Sequence, residues 1–307
     1  MGHFSISDLE QLSGIKAHTI RIWEQRYGIL RPVRTATNIR TYCDDDLRRL
    51  LNVATLCGRG YRISKIAQLS EQEISNAVVS CHDDSNDYCQ QVHALMSAML
   101  VLDEPQMNSL LDRAIRRLGF EQAMMHVVYP FLQRIGLMWQ TGTVTPAQEH
   151  LFTHVLRQKM MAATDTLPAV TATAARRWVL FLPSGELHEL ALLFMNYALR
   201  ARGHHVLYLG QNLPVAELKA VCKVYQPHAV CTVLTAVPER DRLQEFVNDL
   251  QEICAGAKLL LYGPLVQAEV ETLVFPPNTV CPRLMTDFLA LADELRMATV
   301  ESEAEPA

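Results

Sequence analysis

Short apolar runs that alternate with longer amphipathic segments constrain the fold of residues 178–296 more than any other feature of the chain. The runs are Trp178–Leu182, His205–Leu209, His228–Val233 and Lys258–Tyr262, and the helical segments are Leu187–Arg202, Val215–Tyr225, Arg240–Cys254 and Met285–Arg296. Such runs are typical of strands buried on both faces, and their alternation with helices predicts a parallel, doubly wound sheet. Ligands of these sheets bind beyond the carboxyl ends of the strands, so the residues after Leu182, Val233 and Tyr262 are the candidate site.

Long amphipathic segments without strand-like runs precede this region. They lie near Gln90–Val101, Pro105–Leu118, Gly119–Trp139 and Pro146–Ala163. Four helices with short connections predict a four-helix bundle. Thr145, Pro146 and Gln148 have the spacing of a helix N-cap, a first helical residue and a capping-box partner. We expect a bundle domain over residues 88–168 and a sheet domain over residues 176–300.

The first 72 residues form a third predicted domain, built from short helices and a β-hairpin. Helical spacing begins at Ala17 and again at Asp44, whereas Arg31–Tyr42 has Pro32, turn residues and little helical periodicity. The polar stretch Glu71–Asp87 has the composition of a linker. A second linker of small residues lies at Thr171–Ala175. The fold class predicted for the whole chain is therefore multidomain, α followed by α/β.

Charge divides the chain in the same way. Its 307 residues have a net charge of −5, but residues 1–70 alone carry +5 and the remainder carries −10. A basic N-terminal module on an acidic body favours a nucleic-acid reader attached to a sensing or assembling module. No stretch approaches the ~20 apolar residues needed to span a bilayer, and the eight cysteines are scattered without a C-x-x-C pair. We expect a cytoplasmic protein with reduced thiols and no membrane partner.

The basic module carries a long and specific motif. The segment T-I-R-I-W-E-Q-R-Y-G-I-L-R-P-V-R-T-A-T-N-I-R-T-Y-C-D-D-D-L-R-R-L (Thr19–Leu50) resembles the MerR family of winged helix-turn-helix regulators, and the resemblance covers about 70 residues. It implies a double-stranded DNA operator as partner and binding as a homodimer or a higher oligomer. Charged residues of a solvated surface are the alternative, which the ordered pattern disfavours.

The expected DNA contacts divide by groove and backbone. A short helix that presents Lys16, His18 and Arg21 can enter the major groove, where bidentate hydrogen bonds identify bases. The residues expected to hold the phosphate backbone are Arg26, Arg34, Arg40 and Tyr42. Asn38 tolerates the positive φ that a tight turn of the wing requires.

A second motif follows the first predicted strand of the sheet. E-L-H-E-L-A (Glu186–Ala191) resembles the D-x-H-x-x-G motif of the cobalamin-binding, flavodoxin-like fold, in which the histidine is the lower cobalt ligand. By that resemblance His188 ligates cobalt, and Glu186 accepts the other ring N–H and fixes the tautomer. Taken alone, a histidine after a strand is more often a surface or capping group.

The bundle carries a matching signature. Trp139 is followed, after nine residues, by Glu149 and His150, and this W-x9-E-H arrangement resembles CarH-type light-sensing regulators. The resemblance implies that Trp139 packs against the adenosyl group of adenosylcobalamin and that Glu149 and His150 border the same face. It further implies a non-enzymatic regulator in which the cofactor senses light or ligand and controls oligomerisation and operator binding.

Two positions depart from the family pattern. Ala191 replaces the last glycine of D-x-H-x-x-G, and Tyr262 replaces the first of a glycine pair after the fourth strand, of which Gly263 remains. Thr235 stands where the pattern has a serine. Thr235 and Gly263 are expected to contact the cofactor, but side chains at the changed positions can obstruct its nucleotide tail.

Three alternatives stay open. The sheet domain has lost the cofactor and serves as an oligomerisation or protein-interaction module, or the chain is an enzyme such as a corrinoid-dependent methyl carrier. Alternatively, His150 and His154, four residues apart on one helix, ligate a metal beside Glu149.

Overall fold

The structure is a computed structural model that describes residues 4–34, 38–81, 88–140, 144–170 and 175–304. The chain divides into two compact units, Met1–Val155 and Leu156–Ala307. Among the described residues, no helix is both long and apolar enough to cross a membrane.

The first unit begins with a small helical domain and its hairpin. The elements are α1 (Ile6–Ser13), α2 (Ala17–Tyr27), β1 (Val33–Arg34), β2 (Arg40–Thr41), α3 (Asp44–Gly58), α4 (Ile63–Ile66) and α5 (Glu71–Cys81). β1 and β2 pair in antiparallel register, as predicted for Arg31–Tyr42, and residues 35–37 of that stretch lie outside the described part. Asn38 adopts the expected positive φ of 63°. Ile20 and Trp23 are buried on one face of α2, which leaves the opposite face to its charged residues.

The linker predicted at Glu71–Asp87 is wrong for its first half, because Glu71–Cys81 form α5. The Ser70 hydroxyl accepts from the Glu73 backbone N–H at 3.3 Å, and the Glu73 carboxylate accepts from the Ser70 backbone N–H at 2.8 Å. This reciprocal cap starts the helix. Ile74 and Val78 are buried, and α5 packs against α3. Residues 82–87 of the predicted linker, and 171–174 of the second one, lie outside the described residues.

The four predicted helices of the middle region are present. They are α6 (Tyr88–Leu100), α7 (Glu104–Leu118), the run of α8 (Phe120–Ala123) and α9 (Tyr129–Gln140), and α10 (Pro146–Asp165). A π-helical turn at Met124–Val128 joins α8 to α9. The capping box at the start of α10 is confirmed, since the Thr145 hydroxyl accepts from the Gln148 backbone N–H at 3.3 Å and the Gln148 side chain accepts from the Thr145 N–H at 2.9 Å. The boundary between the two compact units falls within α10.

The second unit contains a parallel sheet, as predicted, but with five strands instead of the four that the sequence indicates. Its elements are β3 (Arg177–Pro183), α11 (Leu190–Ala201), β4 (His205–Leu213), α12 (Leu218–Tyr225), β5 (Ala229–Val233), α13 (Leu243–Ile253), β6 (Lys258–Tyr262), α14 (Pro264–Glu269), β7 (Thr279–Val280) and α15 (Met285–Ala304). The strand order is β4-β3-β5-β6-β7, with every pair parallel. After β3 the chain adds β4 on one side and β5 on the other, so the order reverses beside β3, where ligands of doubly wound sheets bind.

Both faces of the sheet are covered. Val179 and Phe181 of β3 lie in an apolar cluster with residues of α12 and α13, whereas Trp178 packs edge-on against Phe288 of α15 at 6.4 Å between ring centroids. The sequence did not predict α14 or β7. The helix predicted from Leu187 begins three residues later, at Leu190, because the intervening residues form the loop of the candidate site.

Candidate functional site

A buried carboxylate organises the loop between β3 and α11. The Glu186 side chain is fully buried, and its two oxygens accept hydrogen bonds from five backbone N–H groups. The donors are Leu187 and His188 at 3.0 Å on Oε1, and Thr235 at 2.9 Å, Ala236 at 2.8 Å and Val237 at 3.3 Å on Oε2. The carboxylate thus joins the loop after β3 to the loop after β5, at the reversal of strand order.

The protonation state of Glu186 follows from these contacts. Burial raises the pKa of this carboxyl, but the His188 ring and the backbone amides of Ala236, His188 and Thr235 outweigh burial and lower the pKa to about 2. Glu186 is therefore a carboxylate at neutral pH. A buried anion with this many donors fixes the loop rather than exchanging protons.

His188 projects from the same loop. Its Nδ1 lies 2.5 Å from Oε1 of Glu186, while 56% of the side chain is exposed. A carboxylate on Nδ1 selects the tautomer in which Nδ1 carries the proton, and Nε2 is then the nitrogen with a lone pair for a metal. The arrangement fits the chemistry of a histidine ligand whose other nitrogen is oriented by a carboxylate.

Thr235 lies beside this carboxylate, and Gly263 lies against the preceding residue, Leu234. Thr235 lines a cleft of about 250 Å³ together with Ala236, Pro238, Glu239, Arg240, Pro264 and Leu265. Gly263 has a φ of +117°, and a Cβ at this position would lie 2.4 Å from the Leu234 carbonyl oxygen. The backbone of the protein itself therefore requires glycine here, so this glycine is not by itself a mark of a cofactor. Ala191 lies half-buried in the first turn of α11.

The remaining predicted cofactor residues belong to the first unit. Trp139 lies near the C-terminal end of α9 and is 52% exposed, which is unusual for an indole. Glu149 is half-buried and His150 is exposed, both near the start of α10. The His150 and His154 rings lie edge-on at 6.3 Å between centroids. Over the described ranges of the chain, no group of three or more His, Cys, Asp or Glu residues is placed to hold a metal ion.

Most of the predicted DNA-contact residues are exposed. Lys16 precedes α2 and pairs with Glu10 at 3.0 Å while remaining 73% exposed. His18, Arg21 and Arg26 lie along the exposed face of α2. Arg34 is exposed on β1. Two further cations, Arg62 and Lys65, belong to no motif recognised in the sequence and are exposed at the start and on the first turn of α4, a helix that packs against α2.

Arg40 and Tyr42 are less exposed than the other predicted DNA-contact residues, and both contact Glu24. Tyr42 is fully buried and its hydroxyl donates to Glu24 Oε2 at 3.1 Å, so the structure contradicts the prediction that its side chain grips phosphate. Burial and the nearby Glu24 charge raise the pKa of Tyr42. Arg40 is 25% exposed, and its Nε donates to Glu24 Oε1 at 3.1 Å. Glu24 therefore ties the second strand of the hairpin to α2.

Comparison with known proteins supports the interpretation of the N-terminal domain and of the helical region that follows it. A family model described as MerR HTH family regulatory protein matches residues 4–73, and one described as B12 binding domain matches residues 91–164. The chain is 32% identical over 255 residues to the HTH-type transcriptional repressor CarH of Myxococcus xanthus, covering 81% of this chain and 84% of that protein. It is 24% identical over 263 residues to the repressor CarA of the same organism, covering 84% and 85%.

A solved structure supports the fold of the C-terminal part. The monomethylamine corrinoid protein of Methanosarcina barkeri superposes with a TM-score of 0.50 at 14% sequence identity, covering 68% of this chain and 96% of that chain. At this identity the likeness shows a shared fold and nothing about the ligand.

Proposed function

The chain belongs to the CarH family of MerR-type transcription regulators that carry a B12-binding domain, and from this premise we propose that it reads its operator through α2 and the β1–β2 hairpin under the control of a cobalamin ligated by His188. It is a regulator with cobalamin as cofactor, and the relatives it matches are transcriptional repressors or regulators rather than enzymes. The roles of individual residues and the response to light are our proposal.

Operator reading rests on exposed cationic side chains around α2. Lys16, His18 and Arg21 contact base edges, since they lie at the start of a helix whose opposite face is buried. Arg26 and Arg34 contact phosphates, and both are exposed. Arg40 contributes through its ion pair with Glu24, which fixes the hairpin against α2. Each base-edge contact adds specificity, and each phosphate contact adds affinity that depends on salt.

The observation that carries the cofactor proposal is the pair Glu186–His188. The buried carboxylate holds Nδ1 at 2.5 Å, the ring is exposed, and His188 would ligate cobalt through Nε2. Thr235 contributes its backbone N–H to the same carboxylate. Because the anion is fixed by backbone donors from two loops, the imidazole is oriented before any ligand arrives, which reduces the entropy lost on binding.

The upper face of the cofactor is assigned to the bundle. When bound, adenosylcobalamin supplies a cobalt–carbon bond that light cleaves. Trp139 would pack its exposed indole against the adenosyl group, and Glu149 and His150 would border the same group. Loss of the adenosyl group in light would remove this contact of Trp139 and weaken the homo-oligomer that binds DNA. A coupling free energy of about 1–3 kcal/mol between cofactor binding and DNA binding is sufficient for this control, since it changes DNA affinity by 5–150-fold.

The test uses the full chain with adenosylcobalamin, prepared in darkness and freed of unbound corrinoid by gel filtration. The DNA probe is a site that the dark complex itself selects from a random library. We expect a bound corrinoid spectrum, an oligomer, and tight DNA binding that falls on illumination together with the oligomeric state. His188→Ala should lose the spectral change of histidine coordination. His205→Ala, at the amino end of β4 and therefore at the opposite end of the strands from the His188 loop, should retain it.

The proposal is contradicted if the chain binds no corrinoid. It is also contradicted if illumination leaves the oligomeric state and the DNA affinity of the loaded chain unchanged. In the first case the sheet domain would act as an assembly module, the function favoured by Ala191 and Tyr262. Ala191→Gly combined with Tyr262→Gly then distinguishes an obstructed pocket, which would gain corrinoid binding, from a sheet that has no such site.

A further inference from the structure

A second buried carboxylate lies next to His188. Glu189 is 8% exposed and occupies the N-cap position of α11. Its Oε1 lies 2.5 Å from Nε of Arg157, and its Oε2 accepts a hydrogen bond from the Tyr208 hydroxyl at 3.2 Å. Arg157 lies on α10, in the part of that helix that belongs to the second unit, and Tyr208 lies on β4. Three separate elements therefore meet at one carboxylate.

These contacts fix the backbone on the far side of His188. A buried carboxylate is tolerated when a cation and a hydroxyl compensate it, and removal of either partner leaves charge that the surroundings do not balance. Burial and the charge of Glu189 raise the pKa of Tyr208, which therefore keeps its proton and remains a donor. The side chain of Glu186 fixes the loop two positions before His188. The side chain of Glu189 fixes the loop at the position directly after it.

The position of Arg157 gives the contact a further consequence. It is seven residues after His150, about two turns along the same face of α10. We propose that Arg157, Glu189 and Tyr208 form a positioning cluster that ties the His188 loop to α10, so that the orientation of the imidazole depends on the position of this helix. This inference rests on the proposed function for its consequence, since α10 also carries the residues assigned to the upper face of the cofactor.

The experiment measures His188 with and without the cofactor. In the ligand-free full chain, 15N chemical shifts of the imidazole report its tautomer, and we expect wild type to carry the proton on Nδ1. Arg157→Met and Glu189→Gln should shift the ring nitrogens toward averaged values. Both should weaken cobalamin binding about tenfold, the lower end of the range found for residues that support a metal ligand. Tyr208→Phe should give a smaller change in the same direction.

Two further variants separate positioning from general stability. Arg202→Met breaks an ion pair of the same kind, since Arg202 contacts Asp293 at 2.7 Å and joins the C-terminal end of α11 to α15. It should leave the His188 shifts and the cobalamin affinity unchanged. Arg157→Lys keeps the positive charge and should recover most of both readouts. The double variant Arg157→Met/Glu189→Gln should lose no more affinity than the stronger single variant, because the two residues act as a unit.

Unchanged ring shifts and unchanged cobalamin affinity in both Arg157→Met and Glu189→Gln would overturn the inference. So would an equal effect of Arg202→Met, because the effect would then be general destabilisation. If wild type binds no cobalamin, the proposed function fails, and the ligand-free ring shifts still decide whether the cluster positions His188. If Arg157→Met does not fold, Glu189→Gln and Tyr208→Phe provide the same comparison, with Arg157→Lys as the variant expected to stay close to wild type.

Discussion

The DNA-reading surface and the His188 loop solve different problems with opposite arrangements of charge. Around α2, cationic side chains such as Arg21, Arg26 and Arg34 are exposed, and we expect each to make its own contact with DNA. In the His188 loop, one buried carboxylate accepts hydrogen bonds from five backbone N–H groups and contacts the histidine ring. An interface built from separate contacts weakens step by step, whereas a site built on one buried anion changes as a whole.

The largest expected effect tests the anion directly. Glu186→Gln replaces a carboxylate by an amide whose NH2 group faces backbone donors. A pKa of about 2 in the folded state against 4.5 unfolded corresponds to about 3 kcal/mol of stability at neutral pH. Because the folded pKa is lowered, this stability is present above about pH 4.5 and is lost as the pH falls toward 2. We expect the variant to be less stable at pH 7 and to lack this part of the acid sensitivity.

The measurement is thermal or urea unfolding of the full chain between pH 7 and pH 2, followed by a probe of the sheet domain. Glu245→Gln, on an exposed carboxylate of α13, is the matched control and should follow wild type. Identical pH dependence in wild type and Glu186→Gln would contradict the role given to this carboxylate.

A smaller effect is expected on the DNA-reading side. Arg21→Ala should cost about 1–3 kcal/mol of affinity for the selected site and relax its sequence preference, since bidentate base contacts carry that much discrimination. Binding to unrelated DNA and the unfolding midpoint should change little. Arg116→Ala, an exposed arginine on α7 outside the DNA-reading domain, is the control. If Arg21→Ala lost equal affinity for selected and unrelated DNA, Arg21 would contact phosphate and not base edges.

The smallest effect sharpens the comparison, because it concerns a buried residue within the exposed region. Tyr42→Phe removes the hydroxyl that donates to Glu24 while keeping the ring in the core. We expect a loss of about 1 kcal/mol in stability and almost no direct loss of DNA affinity in low salt. Quantitative gel-shift titration and unfolding of the same samples provide the two numbers. A loss of DNA affinity as large as that of Arg21→Ala would show that Tyr42 contributes to DNA binding.

Sequence patterns captured the architecture because periodicity and capping are local. The strand runs of the sheet, the hairpin and the capping box at Thr145 all follow from neighbouring residues, and the structure has them. The Ser70–Glu73 cap of α5 was also readable, but the polar composition of the stretch that follows obscured it.

Contacts between distant segments could not be read in the same way. The Thr235 donor lies 49 residues from Glu186, and the contact of Arg157 with Glu189 depends on how the C-terminal part of α10 packs within the second unit. Tyr42 shows the converse, since its place in the motif beside cationic groups predicts a DNA contact, whereas its ring fills the core. The His188 motif indicated which residues matter, and the fold was needed to show what holds them.

The most direct test of the account concerns the nitrogen beneath cobalt. The full chain is loaded with cob(II)alamin, once with natural histidine and once with 15N-labelled histidine, and electron paramagnetic resonance records the nitrogen superhyperfine pattern. Ligation by His188 predicts that the triplet of 14N becomes a doublet with the label, and that His188→Ala abolishes the doublet. A triplet that survives labelling would show that no histidine of this chain ligates the metal, and the role assigned to the Glu186–His188 pair would be wrong.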